Sequence, residues 1–413
     1  MSSSTIYVSA DTDSGTVPVG VLYLTERSGS VSGVFSYDTE WLARAGAYAL
    51  DPGLPLVSGA QAFSRALPGA ISDSAPDRWG RQLIRKSEQL NSGTALTPTL
   101  GEGDYLLAVS DETRQGALRF HVNPEGPYLA EGITIPPLLS LPRLRRAAWA
   151  FSRSEPDAEG VKELLAAGSA SLGGARPKAS VRDGDTLRLA KFSHPSDEWD
   201  VIGLECVALD LADACGIDTP SRELLSIDDH SVLLVTRFDR SGASRIPYLS
   251  AMSLTGFTDG EACDYLDVGE AVMTFGGFVT RDLRALWRRL VFFIAINNLD
   301  DHPRNHGFLG SRKGWSLSPL FDVNPSLDGN RRNMTVLGSD TPEGCASSLH
   351  QLALSWMISE RVQREIVSSV VTGLGDVERI CHQRGINRPT TRSLSSLVAS
   401  GTKVLADHFS DGL

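Results

Sequence analysis

Cysteine is scarce in this 413-residue chain: five residues, Cys206, Cys215, Cys263, Cys345 and Cys381, an odd number with no C-x-x-C spacing. That pattern excludes a disulfide framework and points to reduced thiols. Long apolar runs are missing too. No window approaches the roughly eighteen consecutive apolar residues of a membrane-spanning helix, so no membrane span is expected. The N-terminus, MSSSTIYVSADTDSG, lacks the basic and apolar regions of a secretory signal, which suggests a soluble cytoplasmic protein. Basic excess is also absent. A net charge of −11 argues against the chain gripping nucleic acid by itself, although a local basic patch or a DNA-binding partner stays open. Neither an internal repeat nor a low-complexity tract is visible.

What is present is the composition of a folded soluble protein, 41% hydrophobic and 22% charged, in a chain too long for one ordinary core. The first hundred residues read as short strands, TIYVSA, PVGVLYLTE and SVSGVFSYD, with alternation at Val19, Val21 and Tyr23. PDRWGRQLIRKSEQLN follows as a helix with Pro76 at its start. GDYLLAVSDETRQGALRFHV reads as a helix or strand, a turn and a strand. The Pro- and Gly-rich residues 124–145 read as a connector or wrapped loop. SASLGGARPKASVRDGDTLRLAKFSH then suggests strand, Gly-rich turn, strand, turn and strand. EWDVIGLECVALDLADACGI has helical spacing and ends at Gly216, a fitting C-cap. HSVLLVTRFDR reads as a buried strand, and the chain after about 245 as mostly helical. In RDLRALWRRLVFFIAINN, Leu283, Leu286, Leu290, Ile294 and Asn297 share a face. Strands followed by helices suggest an α+β fold.

The densest polar stretch is NNLDDHPRNHGFL, Asn297 to Leu309. Asp300 precedes Asn305 with four residues between, the D-x4-N spacing of a kinase catalytic loop. The spacing has a chemical reason. A carboxylate that accepts the proton of an attacking hydroxyl and an amide oxygen that helps hold magnesium must leave one short loop together. A solvated turn after a helix, or a metal cage of Asp301, His302 and His306, are the alternatives this stretch leaves open. Seventeen residues past Asn305 stands Phe321-Asp322-Val323, where Asp322 would supply a second magnesium carboxylate. Upstream, Lys191 lies on an expected strand, suited to nucleotide phosphates, with Glu205 on the next helix as a candidate ion-pair partner. Gly173 and Gly174 form a turn whose N–H groups could cradle phosphate, with Lys178 close by. The order of Gly turn, Lys, helix Glu, strand, D-x4-N and F-D-V is what ATP-dependent phosphoryl transfer on a two-lobed fold requires.

FSYDTEWLARAGAYALDPGLPL, ALPGAISDSAPDRWGRQLI, SLGGARPKAS, TRFDR, LDDHPRNHGF and SPLFDV together resemble the motifs of the HipA-like serine/threonine kinases, toxins of HipBA-type toxin–antitoxin modules. The resemblance runs over nearly the whole chain. It implies a two-lobed protein-kinase-like fold, with a β-rich N-terminal subdomain over residues 1–120. An ATP-binding N-lobe would span 121–240 and an all-helical C-lobe 241–413. Asp300 is then the catalytic base, Asn305 and Asp322 the magnesium ligands, and Lys191 a phosphate contact. Gly173, Gly174, Ala175, Arg176, Pro177 and Lys178 would form the phosphate loop, and Thr236, Arg237 and Phe238 the adenine hinge. His302 and Phe321 would line the nucleotide site. Ser171 matches the serine that these kinases autophosphorylate, with Ser169 as a neighbouring alternative. The expected cofactors are ATP and Mg²⁺. The expected partners are a HipB-like helix-turn-helix antitoxin, operator DNA mainly through that complex, and an aminoacyl-tRNA synthetase, the glutamyl type foremost, as substrate. A small-molecule kinase and a catalytically silent antitoxin-binding co-repressor are the rival readings.

Overall fold

The computed structural model describes residues 2–27, 30–63, 65–92, 99–128, 135–170, 174, 176–329 and 331–409. Ser171, Gly173 and Ala175 lie outside the described residues. The chain folds into two compact units, one of Met1–Ser196 with Ser226–Thr258, the other of Asp197–Leu225 with Asp259–Leu413.

In the first unit, β1 (Ser2–Thr12), β2 (Gly15–Arg27) and β3 (Ser30–Tyr37) form an antiparallel meander. With β4 (Ala60–Phe63) and β5 (Leu118–His121) it makes one sheet in the order β4-β3-β2-β1-β5. The register sets Ile6 opposite Leu22 and Leu22 opposite Phe35, so all three fall on one face, and all three are fully buried. The helices here are α1 (Thr39–Ala43), α2 (Gly69–Asp73), α3 (Arg78–Ser92), α4 (Glu102–Leu107), α5 (Leu141–Ser152) and α6 (Ala158–Ala166).

Further on, β6 (Lys178–Asp183), β7 (Thr186–Phe192), β8 (Arg222–Ile227) and β9 (His230–Thr236) make a second sheet in the order β6-β7-β9-β8. The tight turn before β9 needs two left-handed residues, Asp228 (φ 48°) and Asp229 (φ 60°), a conformation that Asp tolerates better than most. Arg145 and Arg146 reach the Asp228 carboxylate at 2.5 and 3.4 Å. The two-residue strands β10 (Arg240–Ser241) and β11 (Ser244–Arg245) then pair, and β12 (Tyr248–Ser250) leads into α8 (Ala251–Thr255). The buried Asp73 anchors that entry, accepting from Ser250 N at 2.7 Å and Ser250 Oγ at 2.8 Å.

The second unit is helical around one hairpin. Its helices are α7 (Val201–Ala214), α9 (Tyr265–Phe275), α10 (Val279–Ala295), α11 (Pro342–Ser355), α12 (Glu360–Leu374), α13 (Val377–Gln383) and α14 (Arg388–Phe409). The hairpin is β13 (Gly307–Ser311) with β14 (Gly314–Leu317). Helix α10 is the central element. Leu283, Leu286, Leu290 and Ile294 are buried as the periodicity expects, but from Arg289 to Ala295 every residue is buried, not one face alone. Helix α14 packs on its C-terminal end so closely that a Cβ at Gly401 would lie 2.3 Å from the Ala295 carbonyl oxygen.

The α+β reading of the sequence therefore holds, with several local corrections. Residues 141–145 belong to α5 rather than to a connector, because Leu141, Leu144 and Ala148 already repeat at helical spacing and are buried. Of the segment expected as a strand, Ser169 and Ala170 form a turn after α6, where Ser169 N donates to the Leu164 carbonyl at 3.0 Å. Helix α6 itself went unread. The C-terminal lobe is not all-helical, since β13 and β14 follow the polar loop directly.

Replacing Gly401 by Ala should lower the thermal midpoint. Ala gains about 1 kcal/mol of helix propensity, but the clash is with an unyielding carbonyl oxygen, and overpacking costs about 1–3 kcal/mol. A midpoint equal to or above wild type in calorimetry would contradict the close helix–helix approach.

Candidate active site

After α10 the chain leaves helical geometry at Asn297, which sits in the left-handed region at φ 51°. Its side chain holds it there, donating from Nδ2 to the carbonyls of Ser326 (2.9 Å) and Gly329 (3.2 Å). Asn298 continues the stitching: its Oδ1 accepts from Asn324 N at 3.0 Å, and Leu299 O accepts from Asn333 N at 3.1 Å. The loop that follows α10 is thus knitted to the 322–333 segment before the first aspartate is reached.

Asp300 and Asp301 are neighbours with opposite fates. Asp301 is fully buried, and its carboxylate has partners from three parts of the unit. Oδ2 accepts from the Tyr265 hydroxyl and, at 2.8 Å, from Arg332 Nη2; Oδ1 pairs with His306 Nε2 at 2.9 Å. Burial alone would raise the Asp301 carboxyl, but His306, Arg332 and Tyr265 outweigh it and hold it below the usual carboxylate range. The same burial, reinforced by the Asp301 charge, pushes the Tyr265 phenol well above its ordinary value. With both oxygens of Asp301 engaged in this way, a metal cage of Asp301, His302 and His306 does not form. Asp301 is an anchor.

Asp300 is exposed instead. Asn333 Nδ2 donates to its Oδ1 at 3.0 Å, which orients the carboxylate. The backbone carbonyl of Asp300 accepts from Asn305 Nδ2 at 3.0 Å. Between them Pro303–Asn305 forms a single 3₁₀ turn, with Asn305 N donating to His302 O at 2.8 Å. The hydrogen bond from Nδ2 fixes the Asn305 amide plane and assigns Oδ1 as its acceptor end. Arg304 reaches outward to Asp259, with bonds of 3.0 and 2.9 Å. Such an exposed pair contributes at most about 1 kcal/mol.

Asp322 is the third member. It is half-buried and left-handed at φ 55°. A non-glycine residue held there costs roughly 1–3 kcal/mol and persists only where its surroundings impose it, a hallmark of functional positions. A carboxylate from Asp322 and an amide oxygen from Asn305 are hard oxygen donors, the kind that suits Mg²⁺ with its remaining positions left to water or phosphate. The residues fit that ion.

Of the other residues singled out by sequence, Lys178, Lys191, Thr236, Arg237 and Phe238 belong to the first unit, and Glu205, His302 and Phe321 to the second. Lys191, half-buried on β7, lies opposite Lys178 on one side and Leu233 on the other. Lys178 is almost wholly buried, its ammonium 2.7 Å from Asp77 Oδ2 and 2.9 Å from Gly174 O. Thr236 ends β9 opposite Arg188. The Arg237 guanidinium is buried against Asp239 at 2.5 Å and donates to Thr113 O at 2.8 Å, so this side chain bolts the segment to residues 113–114 rather than facing a ligand. Burial would raise the Asp239 carboxyl, but Arg237 and Arg240 hold it far below its ordinary range. Phe238 stays partly exposed, as do His302 and Phe321. Glu205 is buried on α7.

The sequence reading missed Tyr265, Arg332 and Asn333, the partners that fix Asp301 and Asp300. They lie 36, 31 and 33 residues from those aspartates, and no spacing rule connects such distances.

The HipA-like C-terminal domain family matches residues 170–376, and the HipA N-terminal domain family matches residues 12–100. No curated protein matches the sequence. Among solved structures, HipA of the Shewanella oneidensis MR-1 toxin–antitoxin system, determined with HipB and its operator DNA, is similar over 97% of both chains at 13% identity, with a TM-score of 0.66. The Helicobacter pylori proinflammatory kinase CtkA is similar over 57% of this chain and 95% of its own at 14% identity, with a TM-score of 0.40.

Asp301→Asn should lower stability by about 3–5 kcal/mol near neutral pH, since it leaves Arg332 buried without its counter-charge. Because the folded carboxyl is depressed, the stability it supplies is complete above its unfolded value of about 4 and is lost as pH falls through the folded value. The variant should therefore show a shallower acid limb in denaturation followed from pH 7 to 2. Parallel acid limbs would rule out Asp301 as the anchor.

Proposed function

The chain belongs to the HipA-like family, and from that premise we propose that it is an ATP- and Mg²⁺-dependent protein serine/threonine kinase, the toxin of a toxin–antitoxin pair. The observation that carries this reading is the pair Asp300 and Asn305, an exposed, oriented carboxylate and an amide locked to its backbone, together with a left-handed Asp322 seventeen residues on in the chain.

Each residue has a task on this reading. Asp300 accepts a hydrogen bond from the substrate hydroxyl through the oxygen that Asn333 leaves, and takes up the proton as the hydroxyl oxygen bonds to the γ-phosphorus of ATP and the bond from that phosphorus to the departing ADP breaks. Asn305 and Asp322 would hold Mg²⁺, which when bound supplies positive charge to the nucleotide phosphates. Lys191 offsets phosphate charge as well, and the partly exposed Phe238 and the backbone of Thr236 and Arg237 would bound the adenine. Asp301, Tyr265 and Arg332 take no part in proton transfer. They keep the loop in place so that little reorganisation is needed during reaction.

The substrate we propose is an aminoacyl-tRNA synthetase, the glutamyl type first, whose phosphorylation would halt translation. Self-inactivation through Ser171 would add about two negative charges beside the nucleotide phosphates, a repulsive arrangement. A HipB-like helix-turn-helix antitoxin would bind this chain and carry most of the contact with operator DNA, which suits a net charge of −11. The family resemblance supports these partners, as does the assembly in which the Shewanella relative was determined.

The test is transfer from γ-labelled ATP with Mg²⁺, to the chain itself, to purified glutamyl-tRNA synthetase and to a whole-cell extract. Wild type should label the protein, and Asp300→Asn should lower the rate by about 10²–10⁴-fold. Asp322→Ala should abolish transfer, and Ser171→Ala should remove self-labelling while leaving the synthetase labelled. Label confined to small metabolites would favour a small-molecule kinase. Transfer that does not depend on Asp300 would leave the antitoxin-binding role alone standing.

A further inference from the structure

We propose that Asp77, in the N-terminal region, is a positioning residue for the nucleotide-binding loop, and that Lys178 is the strut through which it acts rather than a phosphate contact. The proposal rests on the kinase reading above and is argued from the described residues Ala170, Gly174 and Lys178.

The start of α3 touches two of these residues, Ala170 and Lys178. A Cβ on Gly80 would lie 2.7 Å from Ala170 Cα and 3.0 Å from Ala170 O, so α3 sits directly on the turn that leads into the loop. Only glycine permits this approach. Ala170 is buried there with Ile84 of α3 and Tyr105 of α4. At Lys178, Asp77, immediately before α3, divides its carboxylate. Oδ1 caps the helix by accepting from Gly80 N at 2.6 Å, and Oδ2 accepts from Lys178 Nζ at 2.7 Å. The side chains of Lys178 and Asp77 are 3% and 10% exposed. Lys178 also donates to Gly174 O at 2.9 Å, fixing the peptide that follows a residue at φ 116°, a conformation open to glycine.

Charge explains why the carboxylate is needed. Lys178 stands directly opposite Lys191 in the antiparallel register of β6 and β7, so both project on one face. Two ammonium groups so placed repel, and a lysine as buried as Lys178 is costly without a counter-charge. Asp77 supplies that counter-charge to Lys178 at 2.7 Å. A carboxylate 101 residues upstream thereby compensates the buried ammonium that holds the Gly174 carbonyl at the start of β6.

The experiment is a double-mutant cycle on the full chain, reading affinity for a fluorescent ADP analogue with Mg²⁺ and the KM and kcat of ATP-dependent labelling. Asp77→Asn keeps an oxygen for the Gly80 cap and removes only the charge. Asp77→Asn and Lys178→Met should each weaken nucleotide binding about tenfold, and the double variant should be no weaker than either, the signature of one shared interaction. KM for ATP should rise with kcat held within about threefold, as expected when binding alone is lost. Where a single variant fails to fold, the double variant, which removes both buried charges, carries the same expectation. Wild-type affinity in Asp77→Asn or in the double variant, or losses that multiply in the double, would overturn the proposal; the last would make Lys178 a phosphate contact in its own right. A wild-type chain that binds no nucleotide would instead overturn the kinase reading, and this inference with it.

Discussion

The second unit depends on one buried charge. Asp301 is a carboxylate with no exposed surface, and an ion in that position persists only when its partners supply what water would. Tyr265 brings the start of α9, His306 the edge of β13, and Arg332 the segment that precedes α11. Three pieces of chain that are distant in sequence must therefore converge on one point. The loop between Asp300 and Asn305 is suspended from that point. Its geometry follows from desolvation and not from local propensity.

That anchoring allows the neighbouring residues to be strained. Asn297 and Asp322 both sit in left-handed conformations that a side chain disfavours, and around each the backbone is tied by asparagine side chains. The opposition of Asp300 and Asp301 has the same origin. Asp301 is buried with its partners while the adjacent Asp300 stays exposed. There Asn333 orients it without burying it. A buried aspartate and an exposed one thus stand side by side on one anchored loop.

In the first unit the organising theme is again paired charge, here used to join segments far apart in sequence. Arg237 and Asp239 clamp residues 113–116 to the end of β9, and the Asp239 carboxylate also accepts from Gly116 N at 2.8 Å. Asp77 and Lys178 join the start of α3 to the start of β6. Each pair has a planar or compact cation matched to a carboxylate that is itself hydrogen-bonded to backbone, the condition under which a buried ion pair offsets its own desolvation. The β-rich N-terminal region is therefore held to the second sheet by specific contacts as well as by apolar packing.

Much of this was legible in the sequence. Alternating apolar residues marked β1 to β3, helical spacing marked α7 with its stop at Gly216, and the four-residue gap between Asp300 and Asn305 marked the loop, because these are short-range rules that act within a few residues. The hairpin of β13 and β14, the helix α6 and the start of α5 were missed, since short elements carry weak periodicity. The sequence by itself determined which residues could do chemistry. Only the tertiary structure shows that Asp301 is buried while Asp300 is exposed, and that Lys178 is bound to Asp77. Burial, and the long-range partners that burial demands, leave no mark in local spacing.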